Sequence, residues 1–180
     1  MWDVIDYLGN TQERDTALIH LLCHGLRAGE IVALNIAAFD GKLLFIADTK
    51  NNEPRLVPLK KESRQALQQY LTWREEQGEI LSGDRPLVLS YHVVRQGQRL
   101  SYHGIYFAIE KIGELAEILD LHPHAFCHSY ATELLLQGLD STHARKLTGH
   151  KNKLAFKRYT LRSEQEAAIS AYYKAIGEGP

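Results

Sequence analysis

The sequence predicts a mostly helical protein with one small antiparallel β-sheet, an α+β class. Apolar residues recur at helical spacing over residues 14–34 and 60–77, a hairpin pattern lies between those segments, and the chain from Ser101 onward is again helical in pattern. The length of 180 residues suits about one domain, and the sequence carries no internal repeat and no low-complexity tract. We therefore expect a single domain over residues 1–180.

The composition is that of an ordinary globular protein. Hydrophobic residues make up 44% and charged residues 24%, and no apolar run is long enough to cross a bilayer. The first ten residues lack the pattern of a secretory signal, and two cysteines are too few for a disulfide framework. The net charge of -1 gives no general attraction for polyanions. A cytoplasmic location with reduced thiols is the expectation.

The first half of the chain predicts two helices and a hairpin. Gly25 interrupts the helical spacing of residues 14–34, so two helices joined at a glycine turn are expected. Residues 43–47 and 55–59 are short β-prone runs separated by DTKNNEP, a turn rich in Asp, Asn and Pro. Lys50 would lie at or near the tip of this hairpin.

The second half is predicted to be helical with one extended segment. Residues 60–77 have a helical pattern, and residues 86–90 form either a short edge strand or an extended connection. The segment 163–176 has the amphipathic pattern of a helix that packs in cis or on a neighbouring copy, and the sequence leaves both open. Helix breaks are expected near Pro123, Gly138 and Gly149.

The segment HPHAFCHSYAT, residues 122–132, concentrates histidine and cysteine. Pro123 favours a helix that begins there, which would place His124, Cys127 and His128 on one helical face. That face could hold a metal, but structural zinc sites normally recruit four ligands from two clusters. A cysteine nucleophile is the other local interpretation, although side chains at this spacing rarely meet in attack geometry. Both local interpretations are disfavoured, and no metal is expected.

Residues distant in sequence indicate a dispersed site. Arginine can clamp phosphate oxygens, lysine can protonate a leaving oxygen, histidine can move protons and a tyrosine hydroxyl can attack phosphorus. Metal-free phosphodiester transfer needs these functions. Taken singly, each residue also has a structural explanation as an ion-pair partner, a turn residue, a helix cap or a packing residue. The candidates are Arg27 in GLRAGE, Lys50 in the hairpin, His150 in LTGH and Tyr159 in KRYTL.

Together these segments resemble the catalytic domain of the tyrosine recombinases, or phage integrases, over nearly the whole chain. HGLRAGE is similar to the family's TGLR-x-SE segment with Arg27, and DTKNNEPRLVPL to its lysine hairpin with Lys50. HAFCHSYAT is similar to the H-x-L-R-H-S-F-A-T box, with His124 as the first histidine. LTGH matches the family's L-x-GH box, and 26 residues separate its His150 from His124. Tyr159 follows nine residues later in a motif similar to RY-T.

The resemblance implies a mostly helical fold whose small sheet carries the lysine, and it implies a cofactor-free mechanism. Tyr159 would be the nucleophile of DNA strand cleavage and rejoining, forming a 3′-phosphotyrosyl intermediate. Arg27 would hold the scissile phosphate and Lys50 would act as general acid. His124 and His150 would assist proton transfer and phosphate contact.

The resemblance also implies supporting parts and a wider assembly. Glu30 would support the active site structurally, and His128 would help to position the helix of the histidine box. Family members act as tetramers on paired sites of double-stranded DNA. They usually carry an additional amino-terminal DNA-clamping domain, which we expect to be absent from this chain, so that residues 1–180 are the catalytic domain.

One position departs from the family's pattern. Cys127 stands where the family has its second arginine, and HSYAT continues the motif without a gap. Loss of one preorganised donor of this kind typically costs roughly 3 to 4 kcal/mol, or 10² to 10³ in rate. We expect impaired catalysis, with a catalytically degenerate DNA-binding module as the alternative function; an introduced substitution would also explain the cysteine. A third explanation is a substitute cation, for which the candidates are Arg99, Arg145 and Lys146.

A basic segment surrounds the proposed nucleophile. Residues 145–162 contain seven cations and no Asp or Glu. By composition alone, a solvated surface is an equal alternative. The resemblance favours contacts to DNA phosphates, which would make binding dependent on salt concentration. The cations are Arg145, Lys146, Lys151, Lys153, Lys157, Arg158 and Arg162.

Overall fold

The computed structural model of the protein describes residues 9, 11–47, 53–150 and 152–178, without the side chains of residues 155 and 162. Helices dominate, and the two described strands form one antiparallel sheet. The predicted class, mostly α with a small antiparallel sheet, is confirmed. The helices are α1 (Gln12–Leu22), α2 (Ala28–Ala33), α3 (Lys61–Glu76), α4 (Tyr102–Leu115), α5 (Pro123–Leu136), α6 (Ser141–Thr148) and α7 (Lys153–Ala175), and the strands are β1 (Leu43–Ile46) and β2 (Arg55–Pro58).

Gly25 forms the predicted turn between α1 and α2. Its φ of 72° lies in the left-handed region, where a side chain is strained. A Cβ at this position would also lie 2.5 Å from Cδ1 of Tyr130, which belongs to α5. Glycine is therefore required both by the backbone and by the close approach of α5, and the turn delivers Arg27 to the start of α2.

Replacement of this glycine should be costly. We expect Gly25→Ala to lower the free energy of unfolding by about 2 to 5 kcal/mol, because strain of about 1 to 2 kcal/mol adds to overpacking of about 1 to 3 kcal/mol against Tyr130. Gly97→Ala is the matched control, since Gly97 has a φ of 74° with no atom within 4 Å of an added Cβ. Urea unfolding of both variants measures the difference. Equal losses would show that the contact with Tyr130 adds nothing.

The hairpin is confirmed, and its alternation explains how it packs. Leu44 pairs with Val57 across the strands, and both side chains are buried. Phe45 and Leu56, which alternate with them, are exposed. The predicted tip residue Lys50 lies outside the described residues.

Residues 86–90 are an extended connection, the second of the two predicted alternatives. Isolated bridges join Asn35 to Pro86 and Leu89 to Arg99, and no further strand is assigned in this part of the described chain. The segment therefore lines the core beside α2 without extending the hairpin into a larger sheet.

Two apolar clusters organise the helices. The main core joins α1, α3 and α4 to the hairpin, and a smaller cluster forms where α5, α6 and α7 meet. The predicted segment 163–176 is the carboxy-terminal part of α7, a single helix of 23 residues. No helix among the described residues is long and apolar enough to cross a membrane. The buried members of the smaller cluster are Ala131, Ala144, Phe156 and Tyr159.

Candidate active site

Arg27 joins the start of α2 to the loop that follows α6. Its main-chain N–H donates to Oε2 of Glu30 at 2.9 Å, and its Nη1 donates to Oε1 of the same carboxylate at 3.0 Å. Its Nη2 donates to the carbonyl of Gly149 at 3.2 Å. The side chain keeps 27% of its surface exposed. Arg27 is thus held firmly in place and still presents part of its guanidinium to solvent.

Glu30 and Arg55 form a buried ion pair behind Arg27. Nη1 and Nη2 of Arg55 donate to the two carboxylate oxygens of Glu30 at 2.7 and 2.8 Å, and its Nε donates to the carbonyl of Leu147 at 3.0 Å. Burial acts to raise the pKa of Glu30, but the hydrogen bonds and charge of Arg55, together with Arg27, bring that pKa below its ordinary value. An ionised Glu30 therefore holds two arginines.

Arg55 is a structural residue to which sequence reasoning assigned no role. The only signal available was its position in the hairpin motif, five residues after Lys50. Nothing in the sequence says that its side chain turns inward to Glu30, since the two residues are 25 positions apart.

Cys127 presents an uncharged thiol. Its Sγ lies 3.6 Å from the carbonyl oxygen of Gly25 and 3.5 Å from that of Leu26. Burial raises the pKa of the thiol to about 11. The charges of Arg27 and Arg55 act to lower this pKa, and the charge of Glu30 acts to raise it. The thiol is therefore protonated near neutral pH, which agrees with neither a thiolate nucleophile nor a source of positive charge.

Two of the three candidate substitutes for the second arginine are engaged elsewhere. Nη1 of Arg99 donates to the carbonyls of Val32 and Leu34 at 2.6 and 2.9 Å. Nε of Arg145 donates to the carbonyl of His150 at 3.1 Å. Each guanidinium therefore supports a loop of the fold, Arg99 the chain after α2 and Arg145 the chain after α6.

His150 lies directly after the left-handed residue that ends α6. Gly149 has a φ of 68°, and the backbone N–H of His150 donates to the carbonyl of Arg145 at 3.1 Å. Nδ1 of His150 lies 2.8 Å from the hydroxyl of Thr148. Burial, followed by the charge of Arg27 and other nearby cations, lowers the pKa of His150 to about 4. The imidazole is therefore neutral at pH 7.

Tyr159 lies on α7 with its ring in the smaller apolar cluster. It is 7% exposed, and its ring centroid lies 5.6 Å from that of His150 and 5.3 Å from that of Phe156. Its hydroxyl lies 2.5 Å from Nδ1 of His128. Burial raises the pKa of the phenol above its ordinary value, and the charge of Arg158 partly opposes this. Tyr159 therefore has a protonated phenol, and its hydroxyl is held by His128.

The histidine that contacts the Tyr159 hydroxyl is not the one that the sequence motif emphasised. His124, the first histidine of the box, is exposed, and its ring lies beside those of Tyr106 and His122 at centroid distances of 6.4 and 6.3 Å. His128, which we expected to help position the helix of the histidine box, contacts the Tyr159 hydroxyl. Its sequence signal was its place in the box, where it matches the second histidine, four residues after His124.

The basic segment presents an exposed cationic surface beside Tyr159. One of its exposed members, Arg158, lines an open cleft of about 620 Å³ together with His128 and Tyr159. Arg145 is half-buried against His150. Lys151 lies outside the described residues, as does Lys50. The exposed cations are Lys146, Lys153, Lys157 and Arg158.

The histidine box does not gather a set of metal ligands among the described residues. Within residues 9, 11–47, 53–150 and 152–178, no group of three or more His, Cys, Asp or Glu side chains could hold a metal ion. The described residues thus offer no support for a zinc site built on His124, Cys127 and His128.

Sequence comparison identifies the family. The sequence profile of the phage integrase family matches residues 2–166. The chain belongs to the phage integrase family. Relatives in this family include the tyrosine recombinase XerC of Herpetosiphon aurantiacus, 31% identical over 86% of this chain, and the tyrosine recombinase XerA of Thermococcus kodakarensis, 30% identical over 93% of it.

Solved structures related to the phage integrase family share the fold. A crystal structure of XerA recombinase matches 94% of this chain with a TM-score of 0.76 and 23% identity. A post-cleavage complex of the XerH site-specific recombinase bound to palindromic difH substrate matches 95% of it with a TM-score of 0.73 and 24% identity. This chain spans 50% of the length of the XerC relative and 60% of that of the XerA relative.

Proposed function

We propose that the chain is the catalytic domain of a site-specific DNA recombinase or integrase, which breaks and rejoins DNA through a 3′-phosphotyrosyl intermediate. The observation that carries the proposal is the meeting of Arg27, His150 and Tyr159 at the loop between α6 and α7. Arg27 donates to the carbonyl of Gly149, and the ring of the next residue, His150, contacts the ring of Tyr159. A phosphate clamp, a neutral imidazole and a phenol at one loop suit phosphoryl transfer.

In the proposed mechanism, the Tyr159 oxygen attacks the scissile phosphorus and the bond to the 5′ oxygen breaks. Arg27 binds the nonbridging oxygens with its exposed edge, since the rest of its side chain is fixed. Lys50 donates a proton to the leaving 5′ oxygen, and His124 and His150 contact the phosphate, His150 as a neutral imidazole. The 5′ hydroxyl of a second strand then attacks the phosphotyrosyl bond and restores the tyrosine.

The proposed partner is double-stranded DNA. The basic segment contacts it. The proposed location is the cytoplasm of a bacterium or of a phage-infected cell. A local cationic surface is needed because the chain as a whole has a net charge of -1. Self-association to a tetramer on paired sites is part of the proposal, as is an amino-terminal DNA-clamping domain outside residues 1–180. The DNA-contacting residues proposed are Arg145, Lys146, Lys151, Lys153, Lys157 and Arg158.

The test is a covalent-adduct assay on a nicked suicide substrate, whose short 5′ fragment diffuses away and prevents rejoining. We expect a slowly forming protein–DNA adduct that survives denaturation and is absent from Tyr159→Phe. Gel mobility under denaturing conditions measures the adduct, and a salt titration measures binding. An adduct that persists in Tyr159→Phe would contradict the assignment of the nucleophile.

The second candidate function is a catalytically degenerate DNA-binding module. The observation that favours it is the neutral thiol of Cys127 at the position of the second arginine. Salt-sensitive DNA binding with no adduct in the assay above, and none in Cys127→Arg, would support this module and exclude the recombinase.

A further inference from the structure

We propose that His128 is the group that receives the phenolic proton of Tyr159 during attack, a role that the family resemblance would assign to His124 or His150. The inference deepens the proposed function and rests on it, because a proton acceptor is needed only if Tyr159 attacks phosphorus. It makes His128 a catalytic residue, in contact with the reacting oxygen.

The contact between the two side chains has the geometry of a proton transfer. The Tyr159 hydroxyl lies 2.5 Å from Nδ1 of His128, a direct contact as close as proton abstraction by a general base requires. The ring centroids are 5.5 Å apart at an interplanar angle of 43°. With the histidine proton on Nε2, Nδ1 accepts the hydroxyl proton directly.

The packing around this contact holds both partners. Tyr159 lies on α7 and His128 on α5, and the smaller apolar cluster joins the two helices through residues such as Ala131 and Phe156. The contact links residues 31 positions apart, so it depends on how α5 and α7 pack. His128 itself is exposed and lines the cleft.

His150 is less suited to accept this proton. Its ring meets the ring of Tyr159 at 5.6 Å and 64°, and its Nδ1 bonds to the Thr148 hydroxyl. A pKa of about 4 makes it a weak base at neutral pH. His150 is better placed to contact the phosphate beside Arg27.

His124 has no contact with the Tyr159 hydroxyl among the described residues. Its ring lies edge-on to that of Tyr106 at 6.4 Å and near that of His122 at 6.3 Å. Within the part of the chain that the structure describes, the Tyr159 hydroxyl is bonded to His128 and to no other histidine.

The surrounding charges favour a neutral acceptor. Partial burial first, and then the cation of Arg158, His124 on α5 and His122 just before α5, lower the pKa of His128 below its ordinary value. The charge of Arg158 also opposes the rise that burial causes in the pKa of Tyr159, and this eases loss of the phenolic proton. The carboxylates Glu133 on α5 and Glu166 on α7 line the same cleft, and Glu133 is paired with Lys60.

The proposed step balances in protons and bonds. The bond between the Tyr159 oxygen and phosphorus forms while the phenolic proton moves to Nδ1 of His128. The bond from phosphorus to the 5′ oxygen breaks, and that oxygen takes a proton from Lys50. In the rejoining step the 5′ hydroxyl returns a proton to Lys50, and His128 returns its proton to the leaving tyrosine oxygen.

The test compares single-turnover adduct formation in the parent chain, His128→Gln and His124→Gln between pH 5 and pH 9. For the parent, the rate should fall in the acid part of this range, at a pH below the ordinary histidine pKa, because His128 becomes protonated there. His128→Gln should be slower by about 10² to 10⁴ and should lose this acid limb. The rate of His124→Gln should still fall at acid pH. His103→Gln, a change on the exposed surface of α4, should match the parent.

Chemical rescue separates a proton acceptor from a structural residue. We expect added imidazole to accelerate adduct formation by His128→Ala and to leave His103→Ala unchanged. If the parent forms a Tyr159-dependent adduct and His128→Gln retains both rate and pH profile, this inference fails while the proposed function stands. If neither the parent nor Cys127→Arg forms an adduct, the proposed function fails and this inference with it.

Discussion

The Cys127→Arg variant should form the covalent DNA adduct about 10² to 10³ times faster than the parent chain. The parent offers a neutral thiol at this position, whereas arginine supplies two charged hydrogen bonds to nonbridging phosphate oxygens. These bonds strengthen as charge develops in the transition state, so the gain should appear in the single-turnover rate at saturating DNA. A nicked suicide substrate measures that rate directly.

The surroundings of Cys127 can receive an arginine. The thiol lies beside the carbonyl oxygens of Gly25 and Leu26, which can accept hydrogen bonds from a guanidinium that reaches toward Arg27. The ionised Glu30 lies behind these residues and offsets part of the added positive charge. We therefore expect the variant to fold and to bind DNA with a steeper dependence on salt.

Two matched variants decide whether the arginine acts through its geometry. Cys127→Lys supplies a charge without a bidentate fork and should gain less than Cys127→Arg. Cys127→Ser supplies neither and should behave like the parent. The gain must vanish when Tyr159→Phe is added. An unchanged rate in Cys127→Arg would mean that the missing arginine does not limit cleavage.

Local sequence signals predicted the elements of this fold because they depend on near neighbours. Apolar spacing defined the helices, and the turn DTKNNEP separated the two strands. Gly25 and Gly149 marked turns in the left-handed region, where glycine is favoured. Spacing could not decide whether residues 86–90 pair as a strand, because pairing depends on a partner from elsewhere in the chain.

The contacts of the candidate site were less predictable because they join distant segments. Motifs indicated Arg27, His150 and Tyr159 one by one, and the structure brings them to one loop. The inward turn of Arg55 and the bond from His128 to Tyr159 depend on tertiary packing, which periodicity does not encode. A motif ranks residues by their match to a pattern, so it emphasised His124 over its neighbour four positions later.

Removing the charge of Glu30 should destabilise the protein by about 3 to 5 kcal/mol, the cost typical of breaking a buried ion pair. Glu30→Gln leaves Arg55 buried without its counter-ion and loosens the anchor of Arg27. Urea unfolding measures the loss. Glu133→Gln is the matched control, because the Lys60–Glu133 pair is exposed and should contribute about 0 to 1 kcal/mol.

The effect of Glu30→Gln on the free energy of unfolding should depend on pH. The folded-state pKa of Glu30 lies below its unfolded value, so its stabilisation is complete above that unfolded value, near 4.5, and is lost as pH falls through the folded-state pKa. The difference in free energy of unfolding between the parent and Glu30→Gln should therefore become smaller as the pH falls. The difference between the parent and Glu133→Gln should not. If the loss of unfolding free energy in Glu30→Gln stayed constant down to low pH, Glu30 would stabilise the protein through its shape and packing. Arg27 would then be held in position without the charge of Glu30.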